Sequence, residues 1–344
     1  MTESSNKRAA IRIGGVDVQP GERRSVRIPV ARSYTQAELY LPVHIIHGRR
    51  SAPSLFVSAA IHGDEINGVE IIRRLLKLPA LSRLEGTLIA VPIVNVYGFV
   101  VHQRTLPDRR DLNRSFPGSA TGSMAARLAH QFMREIVSNA THGIDLHTGA
   151  IHRTNLPQIR ACLDDPETEQ LARAFGVPVL VNANTRDGSL RQAVLERRIP
   201  MLVFEGGEAL RFDELAIRAG VAGIVAVMRR LGMLPPTRKK QAREARPFLA
   251  RSSAWVRAPE SGILTTAVNL GDHVDEGQQL GTVSDPLGGG QVDIPARSSG
   301  IVIGRVTIPL VNEGDALFHV ARFEKPESVA ARVEAFGEDL SAGR

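Results

Sequence analysis

The sequence is short of several residue types, and each shortage narrows what the protein can be. It has one cysteine, Cys162, among 344 residues, so no disulfide can form within the chain, which fits a reducing compartment. No apolar run approaches the roughly 18–20 residues needed to span a bilayer. The first residues also lack the basic-then-apolar pattern of an export signal. We therefore expect a cytoplasmic protein without a membrane partner.

Lysine is also scarce, since only five of the 43 basic residues are lysine and the rest are arginine. The net charge of +7 and the isoelectric point near 10.1 are compatible with an acidic partner. Such a skew is more typical of genome composition, with charges scattered over solvated surfaces. The densest basic run, residues 237–246, has no aromatic residues among its charges. It is typical of a linker, and we expect no nucleic-acid partner.

Between residue 40 and about residue 235, short apolar runs alternate with amphipathic stretches. The pattern predicts strands at 54–61, 87–94, 143–147, 177–181 and 201–204, and helices at 68–77, 123–138 and 212–231. This rhythm predicts an α/β fold with a largely buried, mostly parallel sheet.

The composition of the sequence and its pattern of apolar residues change after residue 236. Beyond a polar linker, short strand-like pieces alternate with turn signals about every 10 residues, which predicts a small all-β domain. Segments 258–264 and 295–302 resemble each other, as the two halves of a biotinyl/lipoyl-type barrel-sandwich domain do. No lysine between Lys240 and Lys325 is available to carry such a cofactor, so a swinging-arm carrier is not expected. The predicted domains are a catalytic domain at 1–240 with its core at about 40–235, a β-rich domain at 250–328, and a terminal helix or tail at 329–344.

Two histidines and a glutamate lie where predicted strands end. His62 and Glu65 follow the strand at 54–61, and His147 ends the strand at 143–147. Ligands of doubly wound sheets bind at the carboxyl ends of strands, so these side chains are expected to face one point. Two imidazoles and a carboxylate are the ligand set of a catalytic zinc, which leaves a fourth position for water. We therefore predict one Zn²⁺ per chain, bound by His62, Glu65 and His147.

The polar residues beside these ligands are expected to play supporting parts. Asp145 either hydrogen-bonds His147 or turns to the opposite side of the strand. Asp64 and Asn67 are expected to serve the turn and the helix cap. The other histidines are expected to be structural or on the surface, although His152 is close enough in sequence to His147 to line a pocket.

Four short motifs resemble those of one enzyme family. They are HGDE at 62–65, DLNR at 111–114, DLHTG at 145–149 and FEGGE at 204–208. In this order they resemble the succinylglutamate desuccinylase/aspartoacylase family, within the wider zinc carboxypeptidase group. The resemblance covers about residues 40 to 230 and implies a zinc-carboxypeptidase-like fold, with a mixed, mostly parallel sheet flanked by helices and a β-rich C-terminal segment. It also implies His62, Glu65 and His147 as zinc ligands and Glu205 as the base and proton shuttle.

Glu205 also suits the role of base on chemical grounds. It follows the strand at 201–204 and precedes two glycines, which let a substrate approach closely. A carboxylate within reach of metal-activated water can take its proton and deliver it to the departing nitrogen. Glu208 is the rival for this role, and the remaining alternative is that Glu205 is a strand-end carboxylate without a role.

The motif at 111–114 contains side chains that can bind a carboxylate. A guanidinium meets a carboxylate through two parallel hydrogen bonds, and a neighbouring asparagine can add a third. The resemblance assigns Asn113 and Arg114 to the α-carboxylate of the substrate, whereas an isolated arginine is typical of a surface ion pair. An upstream arginine is expected to stabilise the tetrahedral oxyanion. Arg104 is the first choice, with Arg109 and Arg110 as alternatives.

One feature departs from the family's pattern. Relatives place a tyrosine in the C-terminal part, near the substrate, but the three tyrosines here, Tyr34, Tyr40 and Tyr97, all lie early in the chain. Either that role is absent or another residue takes it. The family's substrate specificity is therefore not carried over.

These observations favour zinc-dependent hydrolysis of the amide bond of a small N-acyl amino acid. The alternative with the same chemistry is a carboxypeptidase that trims acidic C-terminal residues from a peptide or protein, which the basic charge favours. A third hypothesis is a metal-holding protein with a degenerate site, but all four core residues are retained. The sequence leaves open the acyl group, the amino acid and whether the chain forms a homo-oligomer.

Overall fold

The structure is a computed structural model that describes residues 8–32, 34–236 and 247–342. The basic run at 237–246, for which a linker is predicted, lies outside the described residues. The strands are β1 (Ile11–Ile13), β2 (Val16–Val18), β3 (Arg23–Arg32), β4 (Glu38–His47), β5 (Ser54–Ala59), β6 (Thr87–Val91), β7 (His142–Gly149), β8 (Arg153–Ala161), β9 (Val179–Asn182), β10 (Met201–Glu208), β11 (Phe248–Ala250), β12 (Ser252–Arg257), β13 (Gly262–Thr266), β14 (His273–Val274), β15 (Gln279–Ser284), β16 (Gln291–Pro295), β17 (Gly300–Val306), β18 (Leu310–Val311) and β19 (Ala316–Arg322). The α-helices are α1 (Asn67–Leu75), α2 (Val96–Val100), α3 (Met124–Glu135), α4 (Pro166–Phe175), α5 (Leu190–Leu195), α6 (Glu214–Arg230) and α7 (Pro326–Ser341).

One long mixed sheet runs through the molecule in the order β12-β19-β17-β8-β10-β7-β5-β6-β4-β3. At its centre, β10, β7, β5 and β6 are parallel neighbours. On either side, β8 and β4 run antiparallel to this group. The predicted α/β fold with a mixed sheet flanked by helices is confirmed. Its parallel part coincides with the continuous apolar runs, because strands covered on both faces must be apolar throughout.

Apolar cores cover both faces of the parallel strands. Along β5, Leu55, Val57 and Ala59 point to the face covered by α1, α4 and α6. Phe56 points to the other face, where α3 and α5 pack. Side chains of a strand alternate between faces, so one apolar run serves both cores. Each large side chain buried here contributes roughly 1.5–3 kcal/mol relative to exposure.

Asn67 ties the loop after β5 to two other elements. Helix α1 begins after Ile66, and no side chain caps it. Instead, Asn67 is fully buried, its Nδ2 donates to the carbonyl oxygen of Gly206 at 3.1 Å, and its Oδ1 accepts from the amide of Asp213 at 3.1 Å. The prediction that Asn67 caps the helix is therefore wrong. Its side chain joins α1 to β10 and to the start of α6.

The C-terminal region is β-rich, as predicted, and ends in the helix α7. A second sheet, in the order β16-β15-β13-β18, shares a core with β12, β17 and β19 that includes Val256, Leu280 and Phe318. The two similar segments of the sequence give β13 and β17, which begin at Gly262 and Gly300. Among the described residues, no helix has the length and apolar character that crossing a membrane requires.

Strand pairing joins the C-terminal region to the rest of the molecule. β17 pairs antiparallel with β8, which places Gly304 opposite Asn155 and Val306 opposite Arg153. β11 pairs in parallel with β9. Backbone hydrogen bonds therefore run from one region into the other. The division into separate domains near residues 240–250 stays a prediction.

Candidate active site

The predicted site residues meet at the carboxyl ends of the parallel strands. Glu205 of β10 lies directly opposite His147 of β7 in the strand register. The loop after β5 carries His62 and Glu65 to the same place, and all four side chains line one cavity of about 360 Å³. The loop can pack so closely only because residue 63 is glycine, since a Cβ there would lie 2.0 Å from the carbonyl carbon of Gly98.

His62, Glu65 and His147 form a buried cluster whose ligand atoms all lie within 4.8 Å of one another. His62 Nδ1 is 2.7 Å from Glu65 Oε1, and His147 Nδ1 is 2.8 Å from Glu65 Oε2. Two imidazole nitrogens and a carboxylate are donors that a divalent transition metal favours, and three protein ligands leave a position open. The cluster can therefore hold a metal ion.

The second nitrogen of each imidazole faces another carboxylate. His147 Nε2 is 2.7 Å from Asp145 Oδ2, and His62 Nε2 is 3.1 Å from Asp111 Oδ1. Asp145 also accepts a hydrogen bond from Ser58 Oγ at 2.7 Å. Carboxylates in this position fix the orientation and the tautomer of metal-binding histidines. Of the two alternatives for Asp145, the structure shows the hydrogen bond to His147, because residues two apart in a strand face the same side.

Opposite charges dominate the electrostatics of the cluster. Burial favours the neutral form of Glu65, but the facing imidazoles of His62 and His147 outweigh it and lower the pKa of Glu65 well below its usual range. Burial likewise opposes protonation of His147, yet Asp145 and Glu65 raise the pKa of His147 well above its usual value. Metal binding displaces protons from such ligands. Attraction between opposite charges therefore holds these side chains together.

Arg104 reaches the cluster, and the alternatives to it do not. Its Nη1 donates to Glu65 Oε1 at 3.0 Å and its Nη2 donates to Asp111 Oδ2 at 3.3 Å. Arg104 lines the cavity, whereas Arg109 and Arg110 are exposed and lie outside its lining. A guanidinium beside this cluster is suitably placed to stabilise negative charge on a reacting oxygen.

Asn113 and Arg114 line the same cavity. Asn113 Oδ1 accepts a hydrogen bond from the amide of Leu190 at 2.9 Å, so the start of α5 fixes the orientation of this side chain. Arg114 is exposed and its guanidinium donates to the carbonyl oxygen of Asn113. The structure therefore brings the predicted substrate-binding pair to the mouth of the cavity.

Glu205 faces the cavity, and Glu208 does not line it. Glu205 Oε2 accepts a hydrogen bond from Asn155 Nδ2 at 3.0 Å, and its Oε1 lies 4.0 Å from Arg160 Nε. Glu208 is buried and accepts a hydrogen bond from the backbone amide of His152 at 3.1 Å. The geometry thus favours Glu205 over Glu208 as the carboxylate that meets a substrate. His152 itself is exposed and lies outside the cavity lining.

Strand β8 contributes three cavity residues that the sequence analysis missed, Arg153, Asn155 and Arg160. Between Asn155 and Gln158, three residues of β8 span the same step as two residues of β10. This β-bulge turns Arg160 to the same face as Asn155, whereas strict alternation would separate them. Because of this bulge, the spacing of the polar residues along β8 does not indicate which of its side chains face the cavity.

Trp255 of β12 brings an aromatic side chain from the C-terminal region to the cavity. Its ring stacks on His319, with centroids 4.7 Å apart and planes at 10°. The guanidinium carbon of Arg153 lies 5.5 Å from the Trp255 ring centroid. Burial lowers the pKa of His319 to about 3, so this imidazole is neutral at neutral pH. An aromatic residue thus reaches the cavity from the region that has no tyrosine.

Positive charge predominates around the cavity. Its carboxylates are Glu65 and Glu205, and its arginines are Arg104, Arg114, Arg153, Arg160, Arg186 and Arg191. Arg191 is only 9% exposed, and within the described part of the chain its Nη1 has no hydrogen-bond partner. The same holds for the buried Nε of Arg160. Burying a guanidinium nitrogen without a hydrogen-bond partner costs free energy. The part of the cavity lined by Arg160 and Arg191 is therefore suited to binding an anionic group.

Comparison with known proteins agrees with this geometry. The protein-family model of the succinylglutamate desuccinylase/aspartoacylase catalytic domain matches residues 51–231, just over half of the chain. The chain is 27% identical over 311 residues to the N-alpha-acetyl-L-2,4-diaminobutyric acid deacetylase of Halomonas elongata, covering 86% of this chain and 90% of that protein.

Solved structures share the fold over most of their length. A succinylglutamate desuccinylase/aspartoacylase from Rhodobacter sphaeroides has a TM-score of 0.79 and 26% identity, covering 88% of this chain and 95% of that one. The product-bound ectoine utilization protein EutE (DoeB) from Ruegeria pomeroyi has a TM-score of 0.78 and 25% identity, covering 87% and 95%. Because the catalytic-domain model matches more than half of the chain and the similar structures cover most of it, the chain belongs to the succinylglutamate desuccinylase/aspartoacylase family.

Proposed function

We propose that this protein is a zinc-dependent amide hydrolase that removes the acyl group from a small N-acyl amino acid. The observation that carries the proposal is the buried cluster of His62, Glu65 and His147, which opens into the same cavity as Glu205. Family membership and the deacetylase activity in the name of the Halomonas relative support an amide as the bond that is cleaved.

His62, Glu65 and His147 would hold one zinc ion through two Nδ1 atoms and a carboxylate. Their burial and the carboxylates behind both imidazoles fit a tightly held metal. When bound, zinc would activate a water molecule and polarise the carbonyl of the scissile amide.

Glu205 would act as the general base and then as the general acid. It takes a proton from the attacking water and delivers it to the amide nitrogen, so that the amine leaves in its neutral form. Arg104 would donate to the carbonyl oxygen as negative charge develops there. Both side chains line the cavity beside the zinc ligands, as these roles require.

Asn113 and Arg114 would bind the α-carboxylate of the substrate. A guanidinium and a carboxamide at the mouth of the cavity can together donate several hydrogen bonds to one carboxylate. This contact would orient the adjacent amide toward Glu205 and Arg104. It also implies that a substrate needs a free carboxylate beside the cleaved bond.

The charge of the cavity favours an acidic substrate. The Halomonas relative is named for a diaminobutyric acid derivative, whose side-chain amine is cationic at neutral pH. Within the described residues, Arg160 Nε and Arg191 Nη1 have no hydrogen-bond partner, and they suit a second carboxylate better than an ammonium group. The same arginines favour the second candidate function, a carboxypeptidase that trims acidic C-terminal residues.

A substrate panel assayed with zinc-loaded protein tests these proposals. The panel contains N-acetyl and N-succinyl derivatives of glutamate, glutamine and 2,4-diaminobutyrate, together with short peptides ending in glutamate. We expect the highest kcat/KM for an N-acyl acidic amino acid, measured by release of the free amine. Preference for the peptides would favour the carboxypeptidase, and preference for the diaminobutyrate derivative would contradict the inferred substrate charge. If no compound were hydrolysed, the proposed function would be wrong.

A further inference from the structure

Asn155 is the hydrogen-bond partner of the proposed base. Its Nδ2 donates to Glu205 Oε2 at 3.0 Å, and the side chain is buried, with 8% of Asn155 exposed. A glutamate side chain has three rotatable bonds, and a hydrogen bond to its carboxylate restricts their rotation. The direction of the Asn155 amide therefore decides where the Glu205 carboxylate lies.

The direction of that amide is set by the C-terminal region. Gly304 of β17 lies opposite Asn155 of β8 in the strand pairing. A Cβ at Gly304 would lie 2.9 Å from Asn155 Oδ1, closer than Cβ atoms ordinarily approach other atoms. The bare glycine thus leaves room for the amide oxygen on the β17 side. With the oxygen there, the NH₂ group points toward Glu205.

Arg160 makes this restraint necessary. Its Nε is 4.0 Å from Glu205 Oε1, and in the described part of the chain this nitrogen has no hydrogen-bond partner. A small rotation of Glu205 would form a charge-assisted hydrogen bond with Arg160, and such bonds are stronger than neutral ones. The hydrogen bond from Asn155 opposes that rotation, and so keeps the carboxylate available to the cavity.

We propose that Asn155 is a positioning residue for Glu205 and that Gly304, in the C-terminal region, is required for this positioning. The kinetic consequence rests on the proposed role of Glu205 as the base, whereas the positioning itself does not. The C-terminal region therefore contributes to catalysis through the packing of one glycine, in addition to lining the cavity with Trp255.

Two substitutions at Asn155 test the first half of the proposal. Asn155→Leu removes the donor at similar volume, and Asn155→Asp keeps the shape but places a second carboxylate beside Glu205. On the best substrate of the panel we expect kcat to fall about 10-fold or more in both, with KM changed less than about 3-fold. The acidic limb of the kcat profile should move to higher pH, further for Asn155→Asp because of like charge. A purely structural role would lower stability without moving this limb.

Gly304→Ala tests the second half. The added methyl group should displace the Asn155 amide and lower kcat in the same way. In the Asn155→Leu background it should have little further effect on kcat, since the hydrogen bond to Glu205 that it disturbs is already gone. Gly337→Ala is the matched control, because a Cβ at this α7 glycine would contact nothing within 4 Å, and it should leave kcat unchanged. Additive losses of Gly304→Ala and Asn155→Leu would overturn the link between β17 and the base.

Crystal structures of the variants decide the positioning without any assay. In Asn155→Leu and Gly304→Ala we expect the Glu205 carboxylate to leave its wild-type position and approach Arg160. A carboxylate that stays within about 0.5 Å of its wild-type position would overturn the proposal. Failure of the whole substrate panel would instead count against the proposed function, and this structural comparison would still stand.

Discussion

His147 and Asp145, two residues apart in β7, are joined by a hydrogen bond of 2.7 Å between Nε2 and Oδ2. Nδ1 is the remaining ring nitrogen, and it faces Glu65. One strand thus supplies a proposed metal ligand together with the group that fixes its tautomer.

We expect His147→Ala to keep the fold and lose most of its zinc, measured by metal analysis after dialysis. Asp145→Asn should bind zinc about 10–100-fold more weakly, because it keeps the ligand but removes the carboxylate behind it. His152→Ala is the control, since His152 lies outside the cavity lining, and it should retain wild-type zinc. Full zinc occupancy in His147→Ala would rule out this ligand set.

Glu205→Gln should keep zinc and substrate binding but lower turnover by about 10²-fold or more, the usual contribution of a positioned acid–base group. Glu208→Gln is the matched variant, because Glu208 lies three residues away and accepts its hydrogen bond outside the cavity. Its turnover should stay within a few-fold of wild type. The reverse ranking would transfer the role to Glu208.

Arg114→Ala should abolish the preference for substrates with a free α-carboxylate. Amidating this carboxylate should lower kcat/KM of the wild type by about 30-fold, and the variant should discriminate little between acid and amide. A double-mutant cycle between Arg114→Ala and carboxylate removal measures the coupling. Arg110→Ala, another exposed arginine of the same segment, should show wild-type discrimination. Additive effects in the cycle would mean that Arg114 does not contact the carboxylate.

Trp255 is the only tryptophan of the chain, so its fluorescence reports on the cavity. Titrating the Glu205→Gln variant with the best panel substrate should change the emission saturably, with a midpoint close to the KM of the wild type. Trp255→Phe in the active enzyme should raise KM several-fold, because the smaller ring weakens the stack with His319 and the contact with Arg153. Emission that does not respond to saturating substrate would contradict a place for Trp255 in the binding site.

The pH dependence of stability should show the contribution of Glu70. Hydrogen bonds from Arg73 and Arg74 outweigh burial and lower the pKa of Glu70 to about 2, below its ordinary value near 4.5. Ionised Glu70 therefore stabilises the folded state. This contribution is complete above about pH 5 and is lost as the pH falls toward 2. Glu70→Gln should lower the free energy of unfolding by about 1 kcal/mol at pH 7, a small value because the arginines are partly exposed.

Urea unfolding at pH 7 and pH 3 measures this difference, which should shrink at the lower pH. Glu169→Gln is the control, because Glu169 pairs with Arg173 on an exposed helix surface, and it should have a smaller effect at pH 7. A difference between Glu70→Gln and wild type that does not change with pH would contradict the lowered pKa of Glu70.

The sequence indicated the parallel core and the metal-type cluster because both follow from local patterns. The apolar runs of β5, β6 and β7 identify buried strands, and His62, Glu65 and His147 stand at strand ends. The position of Asp145 beside His147 also follows from strand geometry once β7 is known. Each strand and each strand-end residue is marked by its own local composition, so a single sequence is enough to predict them.

The other residues that line the cavity reach it through contacts between distant segments of the chain. The bulge in β8 breaks the alternation that would have identified Asn155 and Arg160 as residues of one face. Trp255 reaches the cavity only because β17 pairs with β8 and β19 pairs with β12. Neither the bulge nor these pairings leave a local signal, so no pattern in the sequence predicted these residues.

The pairing of β17 with β8 and of β11 with β9 also has a consequence for solubility. Without residues 247–342, the first part of β8 and all of β9 would become open sheet edges with free amide and carbonyl groups. Leu180 and Val181 of β9 are apolar and buried, and an exposed apolar edge of this kind recruits strands from other molecules. Shortened forms of this chain should therefore self-associate through these edges, which strands of the C-terminal region cover in the intact protein.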